Sequence, residues 1–357
     1  MSKVGIVLIN YKDYVNRFLA ECRDSLERQT YPRDKYIVYI VDNASSPETV
    51  DYIKKNYPQA KILPRPDGNY CAANNFGAKQ ALIDGCDLVV FANMDVKFDP
   101  AWLSELVAAV NSDSKIGLAQ SKVLLYPKNE EEKKHPLINS LGNKIHYLGF
   151  GYTEGYKESD REISGYPEIT GYASGCSIII KKEVLEKIGG NEEELYMYHD
   201  DLELSCKVRL AGYKIILAPK SVIYHKYEFG RSVLMVYYME RNRYIVMLSF
   251  YKLPTLIVIF PALIIMDLGM WLFSIINGWF ITKVKVAGYF LHLKNWRFIR
   301  RKRKEIRKLR GLTKDKDFMK DFSGQVLFQE ISNPLLKYVG NPLINGYWYL
   351  VKKIIFW

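Results

Sequence analysis

The sequence predicts an α/β fold, a sheet covered by helices, followed by a C-terminal helical region that associates with a membrane. Three observations lead there. Short apolar runs alternate with amphipathic stretches as far as Val110, Asn or Asp follows each of the first four apolar runs, and residues 253–281 hold no Lys, Arg or Glu. Three parts are expected: a catalytic-size domain at 1–250, a hydrophobic helical hairpin with a basic flank at 251–312, and an amphipathic tail at 313–357.

The elements read in order as follows. A strand at Val4–Ile9 precedes a helix at Val15–Arg28. A strand at Ile37–Val41 leads to a helix opened by Ser46 with Pro47 at its first position, where the missing N–H is harmless. The strand Ala60–Leu63, an Ala-rich helix over Cys71–Ile83, the strand Leu88–Phe91 and the helix Trp102–Val110 continue the βαβα alternation, which favours a parallel sheet. Pro127–Pro167 is charged, Gly- and Tyr-rich and weakly periodic, and reads as irregular connections over a cleft. Structure resumes with a buried strand at Cys176–Ile180 and a short helix stopped by Gly189-Gly190. Leu202, Cys206 and Leu210 recur at helical spacing, placing Asp200 and Asp201 at a helix N-terminus and Gly212 beyond its end. Val222–Tyr224 is a last apolar strand, closed by His225.

Ligands on such sheets bind at the carboxyl ends of the strands. Those ends carry Asn10 and Tyr11, Asp42 and Asn43, Asp67 to Asn69, and Asn93 to Asp95. Each alone is a good turn residue; four successive ends of this kind indicate a polar cleft.

The chain has 357 residues and a formal charge of +12. From Lys283 to Arg310 there are twelve Lys and Arg and one acid, Glu305, so the rest is close to neutral. This distribution argues against nucleic acid and for an anionic membrane surface. Five scattered cysteines without a CxxC pair favour neither a disulfide scaffold nor a zinc site and fit a reducing compartment. The opening MSKVGIVLINY has no signal-peptide pattern, so the chemistry is expected on the cytoplasmic face of the cell membrane. The 253–281 run is long enough to span a bilayer, but a single crossing would carry the basic flank outward, against the usual preference. Pro254, Pro261, Asp267 and Gly269 are expected to break the run into two short pieces, a re-entrant or in-plane hairpin. The final YWYLVKKIIFW reads as an interfacial helix or as one packed on the main domain.

Candidate chemistry rests on few residues. Asn93 and Asp95, two apart at a strand end, can face one ligand, and a hard divalent cation needs only one or two carboxylates when phosphate oxygens complete its shell. Asp200-Asp201 can cap a helix; adjacent carboxylates also repel, which raises at least one pKa toward the range useful for a base. His225, at a strand end, is either a structural residue or a metal ligand.

In order and spacing, VGIVLINY, VDNASS, NYCAANNFGAKQA, VVFANMD, SGCSIIIKKEVLEKIGG, YMYHDDLELSCKVRLAGYKI and SVIYH resemble glycosyltransferase family 2, of GT-A fold, especially its rhamnosyltransferase-like bacterial members. The resemblance covers about residues 3–245. It implies a Rossmann-like mixed sheet and an inverting transfer from a nucleotide-sugar donor, dTDP-rhamnose or a UDP-sugar, with Mg²⁺ or Mn²⁺ as cofactor. By the same resemblance Asn10 and Asp42 contact base and ribose, with Tyr11 and Asn69 on the same cleft edge, and Asn74 lies beside the nucleotide. Asn93-Met94-Asp95 stands at the Asp-x-Asp position, with Asn in place of the first Asp and Asp95 as metal ligand. Asp201 is the general base with Asp200 before it, His225 joins the metal shell, and Arg231 reaches the diphosphate. A membrane-bound enzyme of this kind is expected to meet a saccharide acceptor on a polyprenyl carrier, in cell-surface polysaccharide synthesis. Two rivals are a sugar nucleotidyltransferase, whose Gly-rich loop INYKDYVNRF lacks, and a non-catalytic membrane-associated binding module.

Overall fold

Val4–Tyr11 forms the first strand, β1, and its residues from Val4 through Asn10 are buried, as expected for a central strand covered on both faces. The computed structural model describes residues 1–227, 233–327, 334 and 336–357. They divide into two units, Met1–Asn143 with Thr153–Glu228, and Lys144–Tyr152 with Phe229–Trp357.

In the first unit β1 is followed by α1 (Tyr14–Glu27), β2 (Tyr36–Asn43), α2 (Pro47–Asn56), β3 (Lys61–Arg65), α3 (Tyr70–Ile83), β4 (Leu88–Ala92), β5 (Val96–Phe98) and α4 (Trp102–Asn111). The chain continues with β6 (Ile116–Leu125), α5 (Glu130–Lys134) and β7 (Ile138–Ser140), then a small hairpin, β8 (Asn143–Ile145) and β9 (Gly151–Thr153), whose residues Lys144–Tyr152 belong to the second unit, and then β10 (Ser177–Lys181), α6 (Lys182–Ile188), α7 (Asp200–Leu210) and β11 (Lys214–His225). Local signals explain several starts. Ser46 and Thr49 form a reciprocal capping box on α2 behind Pro47, Asn69 caps α3 through Ala72 N–H, and Gly189 ends α6 in the left-handed region.

The main sheet has nine strands in the order β3-β2-β1-β4-β10-β6-β11-β5, with β7 beside β6. β1, β2, β3 and β4 are mutually parallel, and Asn10 lies opposite Asp42. The sheet is mixed, since β10 runs antiparallel between β4 and β6 and β5 antiparallel to β11. The parallel sheet drawn from the βαβα alternation therefore holds for its first half. A fully buried strand such as SIIIK has no side-chain alternation that reveals its direction. The core lies between the sheet and α1, α2 and α4, with Leu8, Leu19, Val38, Trp102 and Ile179 fully buried.

The second unit contains α8 (Val233–Phe250), α9 (Leu253–Ile276), α10 (Phe280–Tyr289), α11 (Leu293–Arg310), α12 (Asp315–Phe318) and α13 (Asn341–Ile354). A buried ionic cluster ties three of them together. Glu240 accepts Arg243 at 3.0 and 2.8 Å and Lys283 at 2.6 Å, and Lys283 also reaches Asp267 at 2.5 Å. This packing places α8 in the helical unit, so the division falls ahead of the expected boundary at 250. The two-piece expectation for the apolar run is corrected: α9 is one continuous helix of 24 residues, about 36 Å long. Pro254 lies in its first turn, Pro261 is on an exposed side where one lost bond does not end a helix, and Asp267 is paired. The turn comes at Asn277-Gly278, where Gly278 takes a positive φ of 73°. α13 packs within this unit: the Trp348 ring stacks on Tyr147 at 4.6 Å, and Tyr347 donates to Val258 O at 2.6 Å.

Candidate active site

β4 ends at Ala92, and the next three residues turn the chain so that Asp95 enters β5 with its carboxylate nearly buried. Asp95 Oδ2 accepts the Tyr14 hydroxyl at 2.6 Å and lies 3.4 Å from His225 Nε2. Its other oxygen, Oδ1, is buried without a hydrogen-bond partner, a costly state for a carboxylate. Burial raises the Asp95 pKa, but the contacts with His225 and Tyr14 outweigh it and hold the group below the ordinary carboxylate value. His225 is brought opposite by the antiparallel pairing of β11 with β5, which aligns His225 with Val96. Its Nδ1 is 2.8 Å from Asn139 Oδ1. An amide oxygen only accepts, so Nδ1 carries the proton in that bond and Nε2 faces Asp95. Burial opposes charging of His225, while Cys176 and Asp95 push its pKa up to about 10.

This geometry fits a divalent cation. Asp95 keeps one oxygen, Oδ1, free of hydrogen bonds while its Oδ2 lies 3.4 Å from His225 Nε2, and the imidazole is oriented through its far nitrogen, as in many metal-bound histidines. Among the described residues no three His, Cys, Asp or Glu side chains converge on one point, so phosphate oxygens and water would have to complete the shell. Asn139→Ala should leave the fold intact and lower Mn²⁺ affinity about 10–100-fold, read by titration calorimetry; unchanged affinity would remove His225 from the metal shell.

The acidic pair opens α7. Asp201 accepts Gly175 N–H at 3.2 Å and Leu202 N–H at 2.8 Å. A Cβ on Gly175 would come within 3.3 Å of the Asp201 Cβ, so any larger residue there would press on the carboxylate's position. Burial raises both carboxyl pKa values; the charge of Asp201 raises Asp200 further, while the two amides hold Asp201 back. Asp201 is thus the more acidic of the two and titrates nearer neutrality than an ordinary carboxylate. Tyr70, on α3, joins this pair to the strand end: its hydroxyl donates to Asn93 Oδ1 at 3.4 Å, and burial followed by Asp200 raises its pKa. Cys176, a buried thiol raised by burial, interacts electrostatically with His225, Asp95 and Asp201, so the three share one locality.

The loop before α7 is strained. Tyr196, Tyr198 and His199 have φ of 68°, 63° and 59°, each costing about 1–3 kcal/mol in a non-glycine residue. Asn75 clamps this loop, donating to Asn191 O at 2.9 Å and accepting Asn191 N–H at 2.8 Å. Gly190 has φ +72°, and a Cβ on it would sit 2.5 Å from Asn75 Oδ1. Gly190→Ala should therefore destabilise the first unit by about 1–3 kcal/mol, measured by chemical denaturation; wild-type stability would show that the clamp is dispensable.

The structure places the other sequence candidates less directly. Asn10 and Asp42 are fully buried and bonded to each other at 2.6 Å, with Asp42 also accepting Ser45 and Thr49 hydroxyls at 2.7 Å. A direct contact with base or ribose requires this edge to open, whereas the neighbouring Asn43 Oδ1 is buried with no partner. Tyr11 is 41% exposed at the same edge. Asn69 is occupied as the α3 cap and donates to Glu193 O, and Asn74 is buried, donating to Tyr70 O at 3.2 Å. Arg231 lies outside the described residues. Sequence reasoning missed Tyr14, Tyr70, Asn75, Asn139 and Cys176. Cys176, Tyr70 and Asn75 sit inside the motifs given above; Tyr14, three positions beyond β1, reads locally only as a helix start.

Residues 5–189 match the family model for glycosyl transferase family 2. The chain belongs to that family. As a glycosyl transferase family 2 protein, it carries Asp200, Asp201 and His225 just beyond the matched segment. It is 30% identical over 63% of its length to the uncharacterized protein y4gI of Sinorhizobium fredii, and 28% identical over 64% to the O-antigen biosynthesis protein RfbC of Myxococcus xanthus. It spans only 25% and 18% of those two longer proteins. It is 25% identical over 64% of its length to the N-acetylglucosaminyl-diphospho-decaprenol L-rhamnosyltransferase of Mycobacterium tuberculosis, 78% of which is covered. Among solved structures, S. aureus TarS 1–349 in complex with UDP aligns over 98% of this chain and 90% of its own, with TM-score 0.50 and 16% identity. GalNAc-T7 with UDP, GalNAc and Mn²⁺ aligns over 70% of this chain and 50% of its own, with TM-score 0.51 and 15% identity. At these identities the structural likeness speaks for the GT-A fold alone.

Proposed function

We propose that this glycosyl transferase family 2 chain is a metal-dependent inverting enzyme that moves a sugar from a nucleotide-sugar donor, dTDP-rhamnose or a UDP-sugar, to a lipid-linked saccharide. The observation that carries the reading is the Asp95 carboxylate, with Oδ1 unpartnered and Oδ2 3.4 Å from an oriented His225 Nε2, and Asp201 in the same locality. Asp201, ionised near neutral pH, takes the proton of the acceptor hydroxyl as that oxygen bonds to the anomeric carbon and the bond to the diphosphate breaks. Gly175 and Leu202 amides hold the carboxylate still, and a single displacement inverts the configuration. A divalent cation on Asp95 and His225 would supply Lewis-acid stabilisation of the departing diphosphate. The relatives named for O-antigen biosynthesis and for a decaprenol-linked rhamnosyl transfer support an envelope-polysaccharide role and a polyprenyl-linked acceptor.

Membrane attachment belongs to the same proposal. Leu253, Ile257, Phe260, Ile264, Leu268 and Leu272 are exposed at helical spacing along one side of α9, while Asp267 is engaged with α8 and α10. α9 is long and apolar enough to cross a bilayer, but we place it in the bilayer plane, which keeps the basic α11 on the cytoplasmic side. The acting site is then the cytoplasmic membrane face, against anionic lipid. The test is incubation with a panel of nucleotide sugars and Mg²⁺ or Mn²⁺. Released nucleoside diphosphate supports the transferase; pyrophosphate would mark a nucleotidyltransferase, and no product a binding module.

A further inference from the structure

In the second unit α8, α9, α10 and the start of α11 form the walls of a half-open cavity of about 450 Å³. Five rings, those of Tyr244, Phe260, Trp271, Phe290 and Trp296, line it together with aliphatic side chains. Its charged lining residues, Asp267 and Lys283, bond to each other at 2.5 Å, and Tyr244 donates to Asp267 as well. This leaves little charge for a polar ligand and an interior suited to hydrocarbon. The wall residues Phe260, Ile264 and Leu268 also belong to the exposed apolar side of α9, so the cavity opens onto the surface read above as membrane-facing.

The helix that contributes Trp296 supplies the complementary charge. On α11, Lys294, Arg297, Arg300, Arg301, Lys304 and Arg307 are exposed, recurring at three- and four-residue steps that form one basic side. Trp296 is anchored at the cavity by donating to Phe290 O at 2.7 Å, and Arg303 ties α11 to α8 through Leu248 O at 2.5 Å. The first exposed cations therefore begin within a turn of the cavity lining.

We propose that this cavity receives the isoprenoid chain of a polyprenyl phosphate, with the phosphate held by the α11 cations nearest Trp296. Size favours one chain: if each carbon unit needs about the ~30 Å³ of a water molecule, the cavity holds roughly fifteen carbons. That is one stretch of about three isoprene units and about half of what a two-chain phospholipid would need. The remainder of a longer chain leaves by the open side into the bilayer, and aromatic walls suit a branched, unsaturated chain. The proposal rests on the reading that the acceptor is lipid-linked, and it names the part of that lipid the protein recognises.

The experiment uses the full chain and farnesyl phosphate, followed by titration calorimetry. Saturable binding is expected, weakened at least tenfold by Ala287→Trp, which fills the cavity from an exposed wall position. The surface double variant Arg297→Glu/Arg300→Glu should weaken it comparably without touching the core. With no lipid acceptor present, so that water takes the sugar, both variants should release nucleoside diphosphate from the donor as the wild type does. Non-saturable binding, or binding at the wild-type level by either variant, overturns the cavity, as does complete displacement of farnesyl phosphate by phosphatidylglycerol vesicles. Binding of farnesyl phosphate without transfer to a polyprenyl-linked saccharide keeps the cavity and removes the acceptor reading; transfer without such binding does the reverse.

Discussion

Asp201→Asn should lower glycosyl transfer about 10³-fold, in the range a positioned general base contributes, while donor binding stays near the wild-type level. The amide keeps the size of the carboxylate, but its one oxygen can accept only one of the Gly175 and Leu202 N–H groups that Oδ2 and Oδ1 accept separately, so about 1 kcal/mol of local stability is expected to go while the α7 terminus stays formed. What disappears is the proton acceptor. The pH profile checks the same assignment. The base must be ionised, so the rate is lost as pH falls through the Asp201 pKa, and burial has raised that pKa. The acid limb is therefore expected closer to neutrality than for an exposed aspartate. Asp200→Asn should leave that limb nearly in place, because Asp200 titrates above Asp201 and is already protonated while Asp201 loses its proton. Single-turnover rates from pH 5 to 8 on both variants decide the matter; near-normal turnover by Asp201→Asn removes it as the base.

Much of the first unit was legible because each early strand writes its own end. Val4–Ile9, Ile37–Val41 and Leu88–Phe91 are apolar runs that stop at Asn or Asp, and their parallel register brings Asn10 and Asp42 level at one edge. Asp200 and Asp201 were legible for a different reason, since Leu202, Cys206 and Leu210 fix the phase of their helix. The groups that tune those residues come from long-range pairing, which local pattern does not carry. Asn139 reaches His225 across 86 positions, from the short strand β7 inside a stretch that reads as irregular connection. Tyr14 reaches Asp95 across 81 positions and reads locally only as a helix start. β6, ten residues long and almost entirely buried, was not distinguished at all, since its Ser, Gln and Lys break the apolar signal. In the second unit, Asp267 reads as a break because its partner Lys283 is invisible until α9 and α10 are packed together.

Those long-range contacts also explain why the pair Asp95 and His225 is poised rather than merely adjacent. Asp95 is fixed by β5, by the Tyr14 hydroxyl and by its backbone oxygen, which accepts Lys226 N–H at 2.9 Å. His225 is fixed by β11 and Asn139. A site assembled from separate rigid elements can hold its ligands in one geometry, and Asn93, where an acid is more usual, is left to bond with Tyr70. Under the proposed function, one carboxylate would carry most of the protein's charge toward a cation.

Asp95→Ala should accordingly remove the cation and most of the activity together. Loss of Lewis-acid stabilisation at the departing diphosphate is worth several kcal/mol, roughly 10³-fold in rate. Mn²⁺ affinity, read without turnover from the electron paramagnetic resonance signal of the free ion, should fall at least tenfold. The substitution also strips Tyr14 of its acceptor and leaves His225 facing no carboxylate, so about 1–3 kcal/mol of stability is expected to go with it. Asp95→Asn separates the two effects. It preserves an acceptor for Tyr14 and the volume of the side chain but not the negative charge, so it should recover most of the stability and little of the Mn²⁺ binding. If Asp95→Asn binds Mn²⁺ as the wild type does, the cation is held elsewhere and the buried Oδ1 has another purpose. If stability falls and Mn²⁺ affinity does not, Asp95 is a structural anchor for β5 alone.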